Sequence, residues 1–286
     1  MKKLPIGIQT FAKMREDDFV YVDKTPLIAQ LTSKAGAYFL SRPRRFGKSV
    51  LIDTFKELFE GNKALFKDLY IENQWDWHTT YPVIKLDFAN GSVQSLADLD
   101  VWLQHNLEQN QNRLGITCAP MANKGACLSQ LIEAAYTHYG QKVVVLVDEY
   151  DKPILDNIDN PTVSAEVREG LKNVYSVLKG QDAYLQFVFM TGVTKFSKVS
   201  LFSGMNQLSD ISLDRRYATL CGYTQHDLET TFSEHLAGVN WDKLKEWYNG
   251  YQFWVSRCTT RLIFCCLLTK DKATAAFGLR LAAQVF

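Results

Sequence analysis

Two short stretches carry residue types that could do chemistry together. The first, Arg42-Pro43-Arg44-Arg45-Phe46-Gly47-Lys48-Ser49, places basic side chains and a glycine ahead of an apolar-periodic segment. The second, Val143-Val144-Val145-Leu146-Val147-Asp148-Glu149, is an apolar run that ends in two carboxylates. A helix start presents unpaired N–H groups and the positive end of its dipole, and both favour an anion such as phosphate. Gly47 lets the backbone approach that phosphate, Lys48 reaches the β- and γ-phosphates, and Ser49 offers its hydroxyl to Mg²⁺. Arg44, Arg45, Phe46 and Val50 complete the expected nucleotide-binding set. The general spacing is G-x-x-x-x-G-K-[ST], and Arg42 stands where its first glycine belongs. Gly47-Lys48-Ser49 alone also fits an exposed basic turn that caps a helix.

Asp148 is expected to hold the Mg²⁺ shell. Glu149 is expected to orient and deprotonate an attacking water. Seen alone, the pair also fits a solvated loop after a strand. The two stretches occur in the order a nucleotide site requires, about 100 residues apart, and together they predict ATP binding with Mg²⁺. A third apolar run, residues 184–190, ends in Thr191-Gly192-Val193-Thr194-Lys195. Thr191 is the candidate reader of the γ-phosphate, with Thr194 and Lys195 behind it; a hydroxyl tying down a tight turn is the alternative. Arg215 and Arg216 fit charge stabilisers toward a phosphate or a neighbouring subunit, or a solvated surface pair.

Positioning these groups requires strands that alternate with helices. Residues 37–40, 82–88, 143–147 and 184–190 read as strands, 218–221 as a fifth, and 19–22 as a small strand in a lead-in. The run at 143–147 is mostly β-branched, as in a strand buried on both faces of a parallel sheet. Residues 24–31, 49–60, 96–107, 128–139 and 165–178 read as helices, with Ser164 as an N-cap. The alternation predicts an α/β fold, a P-loop NTPase with a parallel sheet core flanked by helices. Residues 225–247 read as two short helices without a strand, a small C-terminal helical extension.

The 286 residues allow one large domain or two small ones, and a net charge of +1 gives no bulk pull toward nucleic acid or an acidic membrane. A local nucleic-acid patch of Arg42, Arg44, Arg45 and Lys48 is the competing use of the basic loop. Lys2 and Lys3 precede no apolar run of signal-peptide length, and no stretch approaches a membrane span, so a cytoplasmic protein is expected. The six cysteines form no C-x-x-C pair, and the five histidines are not spaced for zinc.

The stretches LPIGIQTFAKMREDDFVYVDKTPLI, YFLSRPRRFGKSVL, VVVLVDEYDKPI, FVFMTGVTKFSKVSLFSGMNQLSDISLD and LKEWYNGYQF resemble the AAA-ATPase-like family of bacterial proteins from about Leu4 to Phe253. The RPRRFGKS loop is that family's version of Walker A. The resemblance implies Walker A roles for Lys48 and Ser49 and Walker B roles for Asp148 and Glu149. It also implies a following domain similar to PD-(D/E)XK nucleases, and through it a role near nucleic acid. The expected organisation is an ATPase-like core with its lead-in over residues 1–222, the helical extension over 223–253, and an aberrant tail over 254–286.

The tail has its own reading. Joining the third base of each codon to the first two of the next permits V-Y-N-P-F-D-I-L-L from Arg257 to Cys266, and G-Q-S-Y-R-S-F-W-F-E-T-G-S-P-S-F from Lys270 to Phe286. Both strings resemble what the family carries after WYNGY, so a frameshift near Phe253 that removed the nuclease-like domain is expected. A divergent genuine segment is the alternative. On the frameshift reading the tail is poorly ordered or arbitrarily helical, and Cys265, Cys266 and residues 262–268 promote aggregation. The functional expectation is a Mg²⁺-dependent ATPase whose turnover drives a conformational change, with an oligomer left open. A nucleotide-binding scaffold or sensor without turnover is the alternative.

Overall fold

Five parallel strands carry the site: β1 (Gly36–Ser41), β2 (Val83–Asp87), β3 (Val143–Asp148), β4 (Leu185–Gly192) and β5 (Leu208–Asp210), in the spatial order β2-β3-β4-β1-β5. The computed structural model describes residues 1–89, 91–119, 122–194, 207–238, 241, 251–253 and 256–259. The order places β4 between the strand before the basic loop and the strand ending in carboxylates. In register, Asp87 lies beside Asp148, Leu40 beside Thr191 and Ser41 beside Gly192. The C-terminal ends of four strands therefore form one rim.

Every residue of β3 is buried. Its alternate side chains feed two cores, as the two-residue period of a strand demands. Val143, Val145 and Val147 pack with α4 (Leu96–Leu114), α5 (Lys124–Tyr139), the short α6 (Lys152–Leu155) and α7 (Pro161–Gly180). Val144 and Leu146 pack on the other face with α1 (Phe11–Glu16), α2 (Thr25–Thr32) and α3 (Lys48–Phe59). The helices thus cover both faces, and the expected α/β sheet core is present. The outer edge of β2 is closed by α4: Asn110 accepts from the Lys85 amide at 2.9 Å and donates to its carbonyl at 2.7 Å, and Asn106 accepts from the Asp87 amide at 2.9 Å. Two asparagines four apart on a helix substitute for a neighbouring strand.

Several expected elements are corrected. The α7 helix begins at Pro161 rather than 165, because the Asn160 side chain caps the Val163 amide and Pro161 occupies the first turn; Ser164 lies inside the helix. The α4 helix continues to Leu114, ending on Gly115 in the left-handed region. Residues 19–22 form no strand beyond an isolated bridge between Lys3 and Phe19. Residues 218–221 are not the fifth strand. They are turns packed behind the basic loop, and Leu208–Asp210 pairs with β1 instead.

In the C-terminal segment, α8 (Gln225–Thr231) is held by a capping box in which Thr224 and Asp227 bond each other's amides. The second expected helix falls mostly outside the described residues. Strands appear where none was expected: β6 (Tyr223–Thr224), β7 (Tyr251–Phe253) and β8 (Ser256–Thr259) form an antiparallel sheet in the order β6-β8-β7. Residues 256–259 of the presumed tail are thus a strand; residues 254–255 and 260–286 lie outside the described residues. Val20 and Val22 of the lead-in share a third apolar cluster with Tyr223, Leu228, Phe232 and Leu236. The β-branched and aromatic run at 19–22 serves this contact, not a ladder.

Candidate functional site

The basic loop leaves β1 and enters α3 at Gly47, whose φ of +92° lies in the left-handed region that glycine enters at no steric cost. Arg45, at φ +69°, makes the preceding turn. The Phe46 ring is buried and its carbonyl accepts from the Gly222 amide at 3.0 Å. Lys48 is 3% exposed and folds back over the loop, its Nζ donating to the carbonyls of Arg42 at 3.1 Å and Pro43 at 3.2 Å. Arg44 and Arg45 are exposed at the mouth, while Ser49 and Val50 occupy the first turn of α3.

Arg42 does something the spacing argument could not assign. Its side chain is 1% exposed, and its guanidinium donates to the carbonyls of Ser41 and Ser212, each at 2.9 Å, and of Tyr217 at 3.2 Å. The residue in place of the first glycine is therefore a buried brace between the loop and residues 212–218. It belongs to no surface patch, and with Lys48 also buried the four-residue nucleic-acid patch loses two members. Arg215 and Arg216 are exposed, and Arg216 is engaged by Asp214 at 2.6 Å.

At the end of β3, Asp148 is fully buried. Its Oδ1 accepts from the Thr191 hydroxyl at 2.5 Å, and its Oδ2 has no hydrogen-bond partner among the described residues. A buried carboxylate oxygen without a donor costs free energy unless a cation or water completes it. Thr191 is itself buried, and its hydroxyl also accepts from the Glu149 amide at 3.3 Å. That hydroxyl is engaged in orienting Asp148. Glu149 sits at φ +52°, an uncommon conformation for a non-glycine residue and one that clusters at functional sites. Burial pushes its carboxyl above the usual range. Lys48 pulls it down, Asp148 and Asp151 push it up, and Arg44 pulls it down. Glu149 feels both loops at once.

Three further residues escaped the sequence reading. Asp151 is fully buried, and its carboxylate accepts from the amide of Val193 at 3.1 Å and from both the amide and the hydroxyl of Thr194 at 2.7 Å. Tyr150 donates its phenol proton to the Thr194 carbonyl at 3.0 Å. A Cβ on Gly192 would lie 2.3 Å from Tyr150 Cε1, so only glycine admits this ring. Thr194 is thus held in the rim by Asp151, and Lys195 lies outside the described residues. The only sequence signal was a third acid in Asp148-Glu149-Tyr150-Asp151.

Among the described residues, no cluster of three or more His, Cys, Asp or Glu side chains is placed to hold a metal ion. Mg²⁺ commonly binds through one or two protein groups plus substrate phosphates, so it needs no such cluster. No described helix is long and apolar enough to cross a membrane.

Two comparisons with known proteins say what the chain resembles. The chain is 51% identical over 253 residues to the "Uncharacterized protein in vnfD 5'region" of Azotobacter chroococcum mcd 1, an alignment covering 88% of this chain and 49% of that protein. The chain therefore spans about half the length of the curated relative it matches. A family model described as "Predicted AAA-ATPase" matches residues 5–202, a span that holds the basic loop, the acidic strand end and the β4 tip. The chain belongs to this predicted AAA-ATPase family.

Proposed function

We propose that the chain binds ATP with Mg²⁺ and hydrolyses it. The observation that carries the reading is the bare, fully buried Oδ2 of Asp148, on the same rim as a glycine-led helix start whose lysine acts electrostatically on Glu149. A carboxylate without a donor next to concentrated positive charge fits a bound cation and polyphosphate.

In this reading the amides of residues 45–49 and Lys48 bind the phosphates, with Arg44 and Arg45 at the mouth. On binding, Lys48 exchanges the carbonyls of Arg42 and Pro43 for phosphate oxygens. Asp148 and Ser49 would hold Mg²⁺, which supplies neutralisation of charge on the phosphates. Glu149 takes the proton of the attacking water, and the raised affinity of its carboxyl for a proton suits a general base. Thr191 holds Asp148 in its rotamer. The engagement of Thr191 with Asp148 also favours a second reading, a nucleotide-binding module without turnover, because the expected γ-phosphate reader is already occupied.

Steady-state phosphate release separates the two. The ATPase reading expects turnover that Glu149→Gln stops while ATP binding survives. Binding without Mg²⁺-dependent phosphate release in the parent chain would leave only the module. Lys48→Ala that bound ATP as tightly as the parent would remove the site assignment itself.

A further inference from the structure

A left-handed backbone is disfavoured for any residue with a Cβ, and it persists only where surrounding contacts over-determine it. Glu149, at φ +52°, is such a residue. Its own backbone bonds are two: its amide donates to the Thr191 hydroxyl at 3.3 Å, and its carbonyl accepts from the Lys152 amide at 3.0 Å. The two residues that follow are fastened more firmly. Tyr150 is fully buried, its amide donates to the Thr191 carbonyl at 2.9 Å, and its ring meets Phe39 of β1 edge-on at 5.3 Å. Asp151 accepts from the amides of Val193 and Thr194 and from the Thr194 hydroxyl. Gly192 leaves room for both, since an added Cβ would lie 2.3 Å from the ring and 2.8 Å from an Asp151 oxygen.

These contacts fall on the tip of β4, and the same tip is fastened on its other side to the start of the basic loop. The Arg42 amide donates to the Gly192 carbonyl at 3.1 Å, and the Ser41 hydroxyl donates to the Val193 carbonyl at 2.9 Å. Strands β3 and β1 are not neighbours, because β4 lies between them. The position of Glu149 relative to the phosphate loop therefore passes through Gly192, Val193 and Thr194. Tyr150 and Asp151 need not touch a ligand to set it.

We propose that Tyr150 and Asp151 are positioning residues: through the β4 tip they hold the Glu149 carboxylate at a fixed offset from the phosphate loop, and the left-handed backbone of Glu149 is the consequence of that grip. The inference rests on the ATPase reading above for the role of Glu149. It assigns the third acid of Asp148-Glu149-Tyr150-Asp151 to the geometry of turnover, not to binding of nucleotide or metal.

The test has two arms, both on the full chain. The first follows phosphate release from Mg²⁺-ATP in the parent, Asp151→Asn and Tyr150→Phe, with kcat expressed per ATP site counted by titration, so that unfolded chains drop out. A displacement of about 1 Å near a reacting group can slow turnover by about 100-fold. Asp151→Asn is expected to lower kcat per site at least about tenfold, and Tyr150→Phe, which loses a single bond, about two- to threefold, each with KM for ATP unchanged. Parental kcat per site in Asp151→Asn, or a raised KM with kcat intact, overturns the proposal. The second arm needs no turnover. Glu149→Gly and Glu149→Ala both remove the carboxylate, but only glycine enters the left-handed region freely. Glu149→Gly is expected to unfold at a higher urea concentration than Glu149→Ala, and the difference is expected to vanish when Asp151→Asn is added and the backbone relaxes. Equal midpoints without Asp151→Asn, or a difference that survives it, overturn the grip. Tyr150→Phe carries both arms if Asp151→Asn does not fold. A parent that releases no phosphate overturns the ATPase reading and the catalytic use of the grip with it, while the glycine advantage still reports the grip itself.

Discussion

The loop after β1 and the segment after β3 solve the same problem with opposite charges. Each contains one charged residue consumed by the fold and others left for a ligand. After β1, Arg42 is buried with both terminal guanidinium nitrogens bonded to carbonyls, while Arg44 and Arg45 remain exposed. After β3, Asp151 is buried and saturated by amides, while Asp148 keeps one oxygen bare. Residue type and burial do not separate structural from functional charges here. The reach of the hydrogen bonds does: Arg42 and Asp151 tie together backbone far apart in the chain, whereas Lys48 bonds only carbonyls of its own loop and Asp148 keeps one oxygen bare.

This contrast can be broken by substitution. Arg42→Ala should have the largest effect, a loss of about 3–5 kcal/mol, since it deletes a buried side chain and strands several buried carbonyls. Arg44→Ala should change stability by less than about 0.5 kcal/mol, as an exposed residue does. Urea denaturation of the two variants checks the pair, and equal losses would erase the distinction. Gly192→Ala drives a methyl into the Tyr150 ring and should cost about 1–3 kcal/mol by the same measurement. Wild-type stability would place the ring elsewhere. Within the acidic segment, Asp151→Asn should lose about 1–3 kcal/mol through weakened bonds to Val193 and Thr194. Asp148→Asn should lose little stability, because Asn still accepts from Thr191, and should instead lose the contribution of Mg²⁺ to nucleotide binding.

The smallest effect concerns Asp53, on the buried face of α3. Its Oδ2 accepts from the Phe11 amide at 2.6 Å, and burial raises its carboxyl above the ordinary value, against the lowering influence of that amide. A raised folded value means the folded state holds the proton more tightly than the unfolded chain. The buried charge is therefore a destabilisation present above the folded value and relieved as pH falls through it. Asp53→Asn should gain on the parent near neutral pH, and the gain should shrink as the solution is acidified through that range. A gain that grew on acidification would reverse the sign and refute the assignment.

What was legible in the sequence follows from how locally each feature is determined. Val143 to Val147 announced a strand buried on both faces because both cores demand apolar, β-branched residues from one run. The Gly47-Lys48-Ser49 turn was legible because a helix start and a left-handed glycine are local events. By contrast β5, Leu208–Asp210, is three residues long, with a half-buried leucine and two exposed positions; an edge strand needs no periodicity, and the more apolar residues 218–221 outcompeted it. The bracing role of Arg42 depends on carbonyls about 170 residues away, and Asp151 on amides about 40 residues away. In sequence, one is another arginine in a basic loop and the other a third acid in an acidic one.

The central claim is that the turn before Ser49 and the carboxylate of Asp148 act on one bound Mg²⁺–nucleotide. It is tested most directly by ATP affinity with and without Mg²⁺ in the parent, Lys48→Ala, Asp148→Asn and the double variant. The account predicts that Mg²⁺ tightens ATP in the parent and not in Asp148→Asn, and that the two single losses are non-additive in the double variant, as for groups sharing a ligand. An intact Mg²⁺ gain in Asp148→Asn, with losses that simply add, would contradict it.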